Sequence, residues 1–139
     1  MMKKTIALLH PGEMGAAIGA GLVARGHRVM WASAGRGAST RKRAQAAGLE
    51  DMQTLARAVQ AADIVFSVCP PHAAMDLARA VAACGFGGIY VDANAVSAQT
   101  TRAVGRVVEA AGASYVDAGI IGPPPVPGAS VRLLSLIHI

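Results

Sequence analysis

Apolar residues gather in short runs along the chain, and glycines and prolines punctuate the stretches between them. Residues 4–9 predict an apolar strand. A helix over 13–25 follows, much of its surface small (Ala16, Ala17, Gly19, Ala20), and Gly26 stops it. Further strands are predicted at 29–32, 63–68, 89–91 and 114–117, with a shorter one at 49–52. Between them, 33–40 reads as a Gly/Ser loop and 41–47 as a short helix ended by Gly48. The segments 53–61, 72–83 and 97–111 read as helices, the last with Ser97 at its N-cap. Short strands alternating with helices predict an α/β fold. It is a doubly wound, mostly parallel sheet with helices on both faces.

Composition limits how that fold is filled. The 139 residues suit one domain, and 53% are hydrophobic against 15% charged, which excludes disorder. Aromatic residues make up only 4%, so the core is expected to rest on Ala, Val, Leu, Ile and Met, with helices lying close to the sheet. No run reaches the roughly 18 apolar residues of a membrane span. The start, Met1-Met2-Lys3-Lys4 and then an apolar run, imitates a signal peptide, but His10-Pro11 ends the run early. It reads instead as a buried first strand of a cytoplasmic protein. Cys69 and Cys84 are too few for a disulfide framework and read as free thiols. After Gly119 the composition changes. The proline-rich segment 122–128 fits neither helix nor central strand, and 130–139 predicts one more strand with no helix to cover it. The expected division is a domain over 1–125 and a truncated or non-native tail over 126–139.

Chemistry enters at the first turn. The strand at 4–9 leads into His10-Pro11-Gly12-Glu13-Met14-Gly15. The dinucleotide fingerprint of a Rossmann-type fold is G-x-G-x-x-G between a strand and a helix. Gly12 and Gly15 supply its second and third glycines, and His10 takes the place of the first. A side chain at the second position would hold a pyrophosphate away from the backbone; the third lets the helix pack against the strand. Free amides around Glu13 and Met14 would then face the phosphates. The Glu13 side chain is expected to turn to solvent, and His10 reads as a turn residue.

Charge bears on which nucleotide fits. The net charge is +5, and no Asp or Glu occurs between Glu13 and Glu50, while Arg25, Arg28, Arg36, Arg41, Lys42 and Arg43 all do. An NAD site usually has an acid about 20 residues beyond the glycines, for the ribose 2′-hydroxyl. That point is the end of the second strand, where Ser33 and Arg36 stand and Arg41-Lys42-Arg43 follow. A 2′-phosphate needs donors and positive charge, so the expectation is NADP. Ser33 and Arg36 would contact the 2′-phosphate, and Arg41 or Arg43 would assist. The same basic run suits nucleic acid, but no aromatic residues interleave it and the other helices are not basic, which argues against that class.

Several motifs then share one family. From residue 5 to about 125 the chain resembles the NADP-binding domain of the 6-phosphogluconate dehydrogenase and β-hydroxyacid dehydrogenase superfamily. Gly12-Glu13-Met14-Gly15 matches its G-x-M-G turn, and Gly26-His27-Arg28-Val29 enters the second strand as in that family. Ala62-Asp63-Ile64-Val65-Phe66 and the following Cys69-Pro70-Pro71 match its fourth strand and loop. Asp92-Ala93-Asn94-Ala95-Val96-Ser97 is similar to D-x-S-T-I-S-P, and Tyr115-Val116-Asp117-Ala118 to the start of D-A-P-V-S-G-G. The resemblance implies cofactor contacts at Pro11, Gly12, Glu13, Met14, Gly15, Cys69 and Pro70, and at Asn94 near the nicotinamide ribose. Ile121 replaces the serine that binds substrate in the family, so substrate identity does not carry over. A branch of reductases with G-I-I-G-P-P at this point is the nearer likeness.

The resemblance also implies an oxidoreductase acting on a small hydroxy- or keto-acid, whose acid/base lysine lies in a helical second domain that also forms a homodimer. This chain has no lysine after Lys42, so alone it is expected to bind and not to turn over. His72, after Cys69-Pro70-Pro71 at the carboxyl end of a strand, is the one catalytic candidate; capping the next helix is the reading preferred for it. The alternative is a stand-alone nucleotide-binding or sensing module.

Overall fold

A computed structural model describes residues 3–94, 96–121 and 132–137, with side chains described up to Ala118. The elements follow the apolar runs. They are β1 (Thr5–Leu9), α1 (Glu13–Ala24), β2 (Arg28–Trp31), α2 (Ala38–Ala46), β3 (Glu50–Asp51) and α3 (Leu55–Ala61), then β4 (Ile64–Ser67), α4 (Ala74–Ala83), β5 (Ile89–Asp92), α5 (Ala98–Ala110), β6 (Ser114–Ile121) and β7 (Arg132–Ile137). One sheet runs in the order β3-β2-β1-β4-β5-β6-β7. The first six strands pair in parallel, and β7 runs antiparallel to β6.

Alternation along each strand explains the layers, since successive side chains point to opposite faces. Ile6 and Leu8 join Val29, Trp31 and Phe66 on the face that α1 and α2 cover, with Ala44 and Leu49. Ala7 and Leu9 join Met30, Val65, Tyr90 and Tyr115 on the other face, under α3, α4 and α5. The small surface of α1 has a definite purpose. A Cβ built on Gly19 would lie 2.9 Å from Leu49 Cδ2 and 3.0 Å from Leu8 Cδ2, so α1 sits close against the sheet and a larger residue there would push these leucine tips aside.

Three boundaries differ from the expectation. The helix expected at 41–47 begins at Ala38, because Gly37 takes the extended N-cap position and the Ala38-Ser39-Thr40 stretch turns helical after it. The helix expected from 72 is split. Pro71–Ala73 makes one 3₁₀ turn before α4, with Pro71 at its first position, where a missing amide costs nothing. The strand expected at 114–117 runs on to Ile121 because β7 pairs alongside it. The reading of 122–128 lies outside the described residues.

The order reverses direction between β1 and β4: from β1 the chain builds outward to β2 and β3, then returns to add β4, β5 and β6. A crevice opens at such a switch point beyond the carboxyl ends of the strands, where ligands bind in open α/β sheets.

Candidate dinucleotide-binding site

The turn after β1 forms one wall of the crevice. His10 has φ +64°, in the left-handed region, which is why glycine is usual there; histidine is one of the side chains that tolerates it. The Gly12 amide donates to the His10 carbonyl at 2.7 Å and closes the turn. A Cβ on Gly15 would stand 3.1 Å from that same carbonyl oxygen, so the start of α1 lies directly on the turn. In front of Gly12 the nearest atom to a built Cβ is His10 Nδ1 at 3.9 Å, which leaves room for a ligand at the backbone. No side chain caps α1, so its first-turn amides face this space. Pro11 is buried, Met14 half-buried and Glu13 exposed, the last as expected.

The basic wall comes from the loop after β2 and from α2. The Arg36 amide donates to the Ser33 carbonyl at 2.9 Å and folds the loop back. Arg41 Nη2 lies 3.5 Å from that carbonyl oxygen, and Arg43 Nη1 lies 3.5 Å from the Pro11 carbonyl oxygen. The guanidinium groups of α2 therefore reach both the loop after β2 and the glycine turn. Lys42 is exposed.

One residue here was not found by sequence reasoning. Trp31 pairs with Asp51 across β2 and β3, and this brings Asp51 beside Ser33. Desolvation is the largest single influence on the Asp51 carboxylate and works against it. Hydrogen bonds from the Ser33 hydroxyl, the Gln53 amide and the Ser33 amide, with the Arg41 charge, outweigh it and hold the carboxyl below its ordinary value. Ser33 itself is buried. An acid thus stands near the end of β2 after all, delivered by the neighbouring strand.

His10, Arg36, Cys69, Pro70, His72 and Asp76 line a cavity of about 400 Å³ between these loops and α4. Desolvation, then the Arg36 charge, with His72 adding to it, holds the His10 imidazole below its usual value against a backbone hydrogen bond that acts the other way. His72 does not cap the next helix: α4 has Ala73 at its N-cap and no side-chain capping bond. Burial pushes the Cys69 thiol up, so it is not poised as a nucleophile.

Asn94 is enclosed. Its Oδ1 accepts from the Cys69 amide at 2.6 Å, and its Nδ2 donates to Ser67 Oγ at 3.0 Å and to Asp92 Oδ1 at 2.8 Å. Both amide hydrogens are thereby engaged, and one lone pair of Oδ1 remains for a ligand. The side chain ties the loop after β4 to the end of β5. Asp92 also accepts from the Asn94 amide at 3.0 Å and from the Tyr115 hydroxyl at 3.0 Å. The Tyr90 hydroxyl is buried beside this group, next to Ser67.

Burial pushes the Asp92 carboxyl up, with Asp117 adding to it, and the hydrogen bonds from Asn94 and Tyr115 only partly oppose this. A carboxyl raised in the folded state stabilises the fold fully below its unfolded value, and that contribution is lost as pH rises through the folded value. Asp92→Asn keeps the shape and cannot ionise. Urea unfolding across pH is expected to show wild type losing stability relative to the variant as pH rises from about 3.9 toward neutrality. A constant gap between the two would contradict it.

Among the described residues there is no cluster of metal-binding side chains, and no helix is long and apolar enough to cross a membrane. No curated protein matches the chain. Solved structures do. A conserved protein described as similar to 3-hydroxyacid dehydrogenases is 28% identical with a TM-score of 0.84, covering 94% of this chain and 48% of its own. The 3-hydroxyisobutyrate dehydrogenase of Mycobacterium tuberculosis, solved with L-serine, is 29% identical with a TM-score of 0.79, covering 87% of this chain and 42% of its own. A variant of an imine reductase from Myxococcus stipitatus, solved with NAD+, shares the fold at 23% identity and a TM-score of 0.79, covering 96% of this chain and 46% of its own. The chain spans less than half the length of each of them. The family described as the NAD binding domain of 6-phosphogluconate dehydrogenase matches residues 5–133. With the switch-point crevice and glycine turn of a dinucleotide site, the chain belongs to that family.

Proposed function

We propose that this domain binds NADP(H) and is the cofactor half of a dehydrogenase or reductase acting on a small hydroxy- or keto-acid type substrate. The observation that carries the reading is the convergence of Arg36, Arg41 and Arg43 on the loop after β2 and the glycine turn. Residues 1–125 form the cofactor unit in this reading, in a cytoplasmic protein whose Cys69 and Cys84 stay free.

The residues fit the cofactor. The open space at Gly12 and the uncapped start of α1 suit a pyrophosphate held by the amides around Glu13 and Met14. Arg36 suits the 2′-phosphate as a fork of donors, with Arg41 beside it, and Ser33 shapes the loop that carries them. Cys69, Pro70 and Asn94 shape the far end of the crevice at β4 and β5. The nicotinamide, when bound, supplies or accepts a hydride. Hydride transfer to a carbonyl also needs a proton donor, and no lysine follows Lys42. His72, the one catalytic candidate in the sequence, lines the cavity that Arg36 borders.

A second reading, NAD(H), is favoured by Asp51, whose carboxylate stands where a ribose diol could be bound. Titration of the chain with NADPH and NADH separates the two. Tighter NADPH binding is expected, and equal affinities would sink the NADP assignment. Oxidation of NADPH by the chain alone with any keto-acid would refute the absence of turnover.

A further inference from the structure

Two histidines without a role in cofactor binding so far meet Arg36 in one cavity. His10 follows β1 at the place of the first fingerprint glycine, and His72 sits in the turn after β4. Both line the cavity of about 400 Å³ that Arg36 borders from the loop after β2. At φ +64° glycine would be the unstrained choice for residue 10, so this imidazole is held against the local backbone preference. Arg36 and His72 both act on the charge of His10, so the three groups share one field.

The geometry points to His10 and His72 as specificity residues for the 2′-phosphate of NADP(H), joining Arg36 in a cationic cluster whose charge grows as pH falls. This rests on the NADP(H) reading and deepens it. A neutral imidazole offers one donor; a protonated one offers two and a full charge. Crowding such cations is unfavourable in the free chain and is relieved by a phosphate. Phosphate binding and proton uptake then favour each other, as linkage requires. NAD has no 2′-phosphate and gains nothing from the added charge.

The groups facing His10 are Arg36 from the loop after β2, Cys69 at the end of β4, His72 from the following turn and Asp76 in the first turn of α4. Desolvation and Arg36 keep His10 below its usual value, so its protonation falls on the acid side of neutrality. Asp76 brings a negative charge to the same cavity and opposes the phosphate.

The test measures affinities of the chain for NADP+ and NAD+, which withstand acid, by calorimetry from about pH 7.5 to about pH 5.5, across the imidazole range. In wild type the NADP+ to NAD+ affinity ratio is expected to rise about tenfold over that span. His10→Gly suits the left-handed backbone, and His72 is exposed, so the double variant His10→Gly with His72→Gln is expected to keep the turn. In it the ratio is expected to fall with pH, because a phosphate monoester itself takes up a proton near about pH 6. The same pH profile in wild type and variant would overturn the inference, as would equal loss of both nucleotides. Binding of neither nucleotide would overturn the dinucleotide reading and this inference with it.

Discussion

Replacing Arg36 with alanine is expected to weaken NADPH binding by roughly 10- to 100-fold while leaving NADH binding within about threefold. The size follows from the chemistry of the contact. A hydrogen bond to a charged group contributes about 1.5–3 kcal/mol, and a guanidinium can make two to one phosphate. Arg36 is half-buried and borders the cavity with His10, so its charge acts through less water than a free surface arginine would. Arg36→Lys keeps the charge and loses the fork, and an intermediate loss is expected. Calorimetric titration with both nucleotides reads the effect. Equal weakening of NADPH and NADH would mean that Arg36 only shapes the loop. A second readout is independent of ligand: the His10 imidazole titrates at higher pH in Arg36→Ala, because the charge that depresses it has gone.

Asn94→Ala is expected to destabilise the chain by about 3–5 kcal/mol. The substitution removes the acceptor of the Cys69 amide and the donors to Ser67 and Asp92 in one step. Each buried group left unpaired costs about 1–3 kcal/mol, more for a carboxylate. Asp92 would keep the Asn94 main-chain amide and the Tyr115 hydroxyl, so the damage is not complete. Asn94→Ser, the residue type usual in the family, restores one short polar contact and is expected to fall between. Urea unfolding at neutral pH measures both. A loss below about 1 kcal/mol for the alanine variant would show that the loop after β4 does not depend on this side chain.

Much of the fold was legible because its signals are local. Gly26 and Gly48 both take positive φ just beyond helices, where their lack of a side chain marks a stop. The apolar runs of β1, β4 and β5 became parallel strands covered on two faces, and those runs are what such burial requires. The glycine turn was readable because a strand, two glycines and a helix stand in contiguous order. The basic character of the loop after β2 was equally plain.

What was not legible depends on which strands became neighbours. Asp51 lies well beyond the end of β2 in sequence, and only the β2–β3 register brings its carboxylate to Ser33. His10 and His72 come from different loops and share a cavity because β1 and β4 are adjacent at the switch point. Asn94 could be placed near a ligand by resemblance, but its three side-chain bonds to β4 and β5 partners required their shared register. The antiparallel direction of β7 had no local mark either, since an apolar run pairs equally well both ways. The sequence by itself determined the alternation of strand and helix, the glycine turn and the excess of positive charge. Each of these is set by the preferences of residues close together in the chain. Tertiary structure alone decided which acid faces Ser33, which imidazoles face Arg36 and which groups satisfy the buried Asp92, because those meetings depend on pairing between segments far apart in the chain.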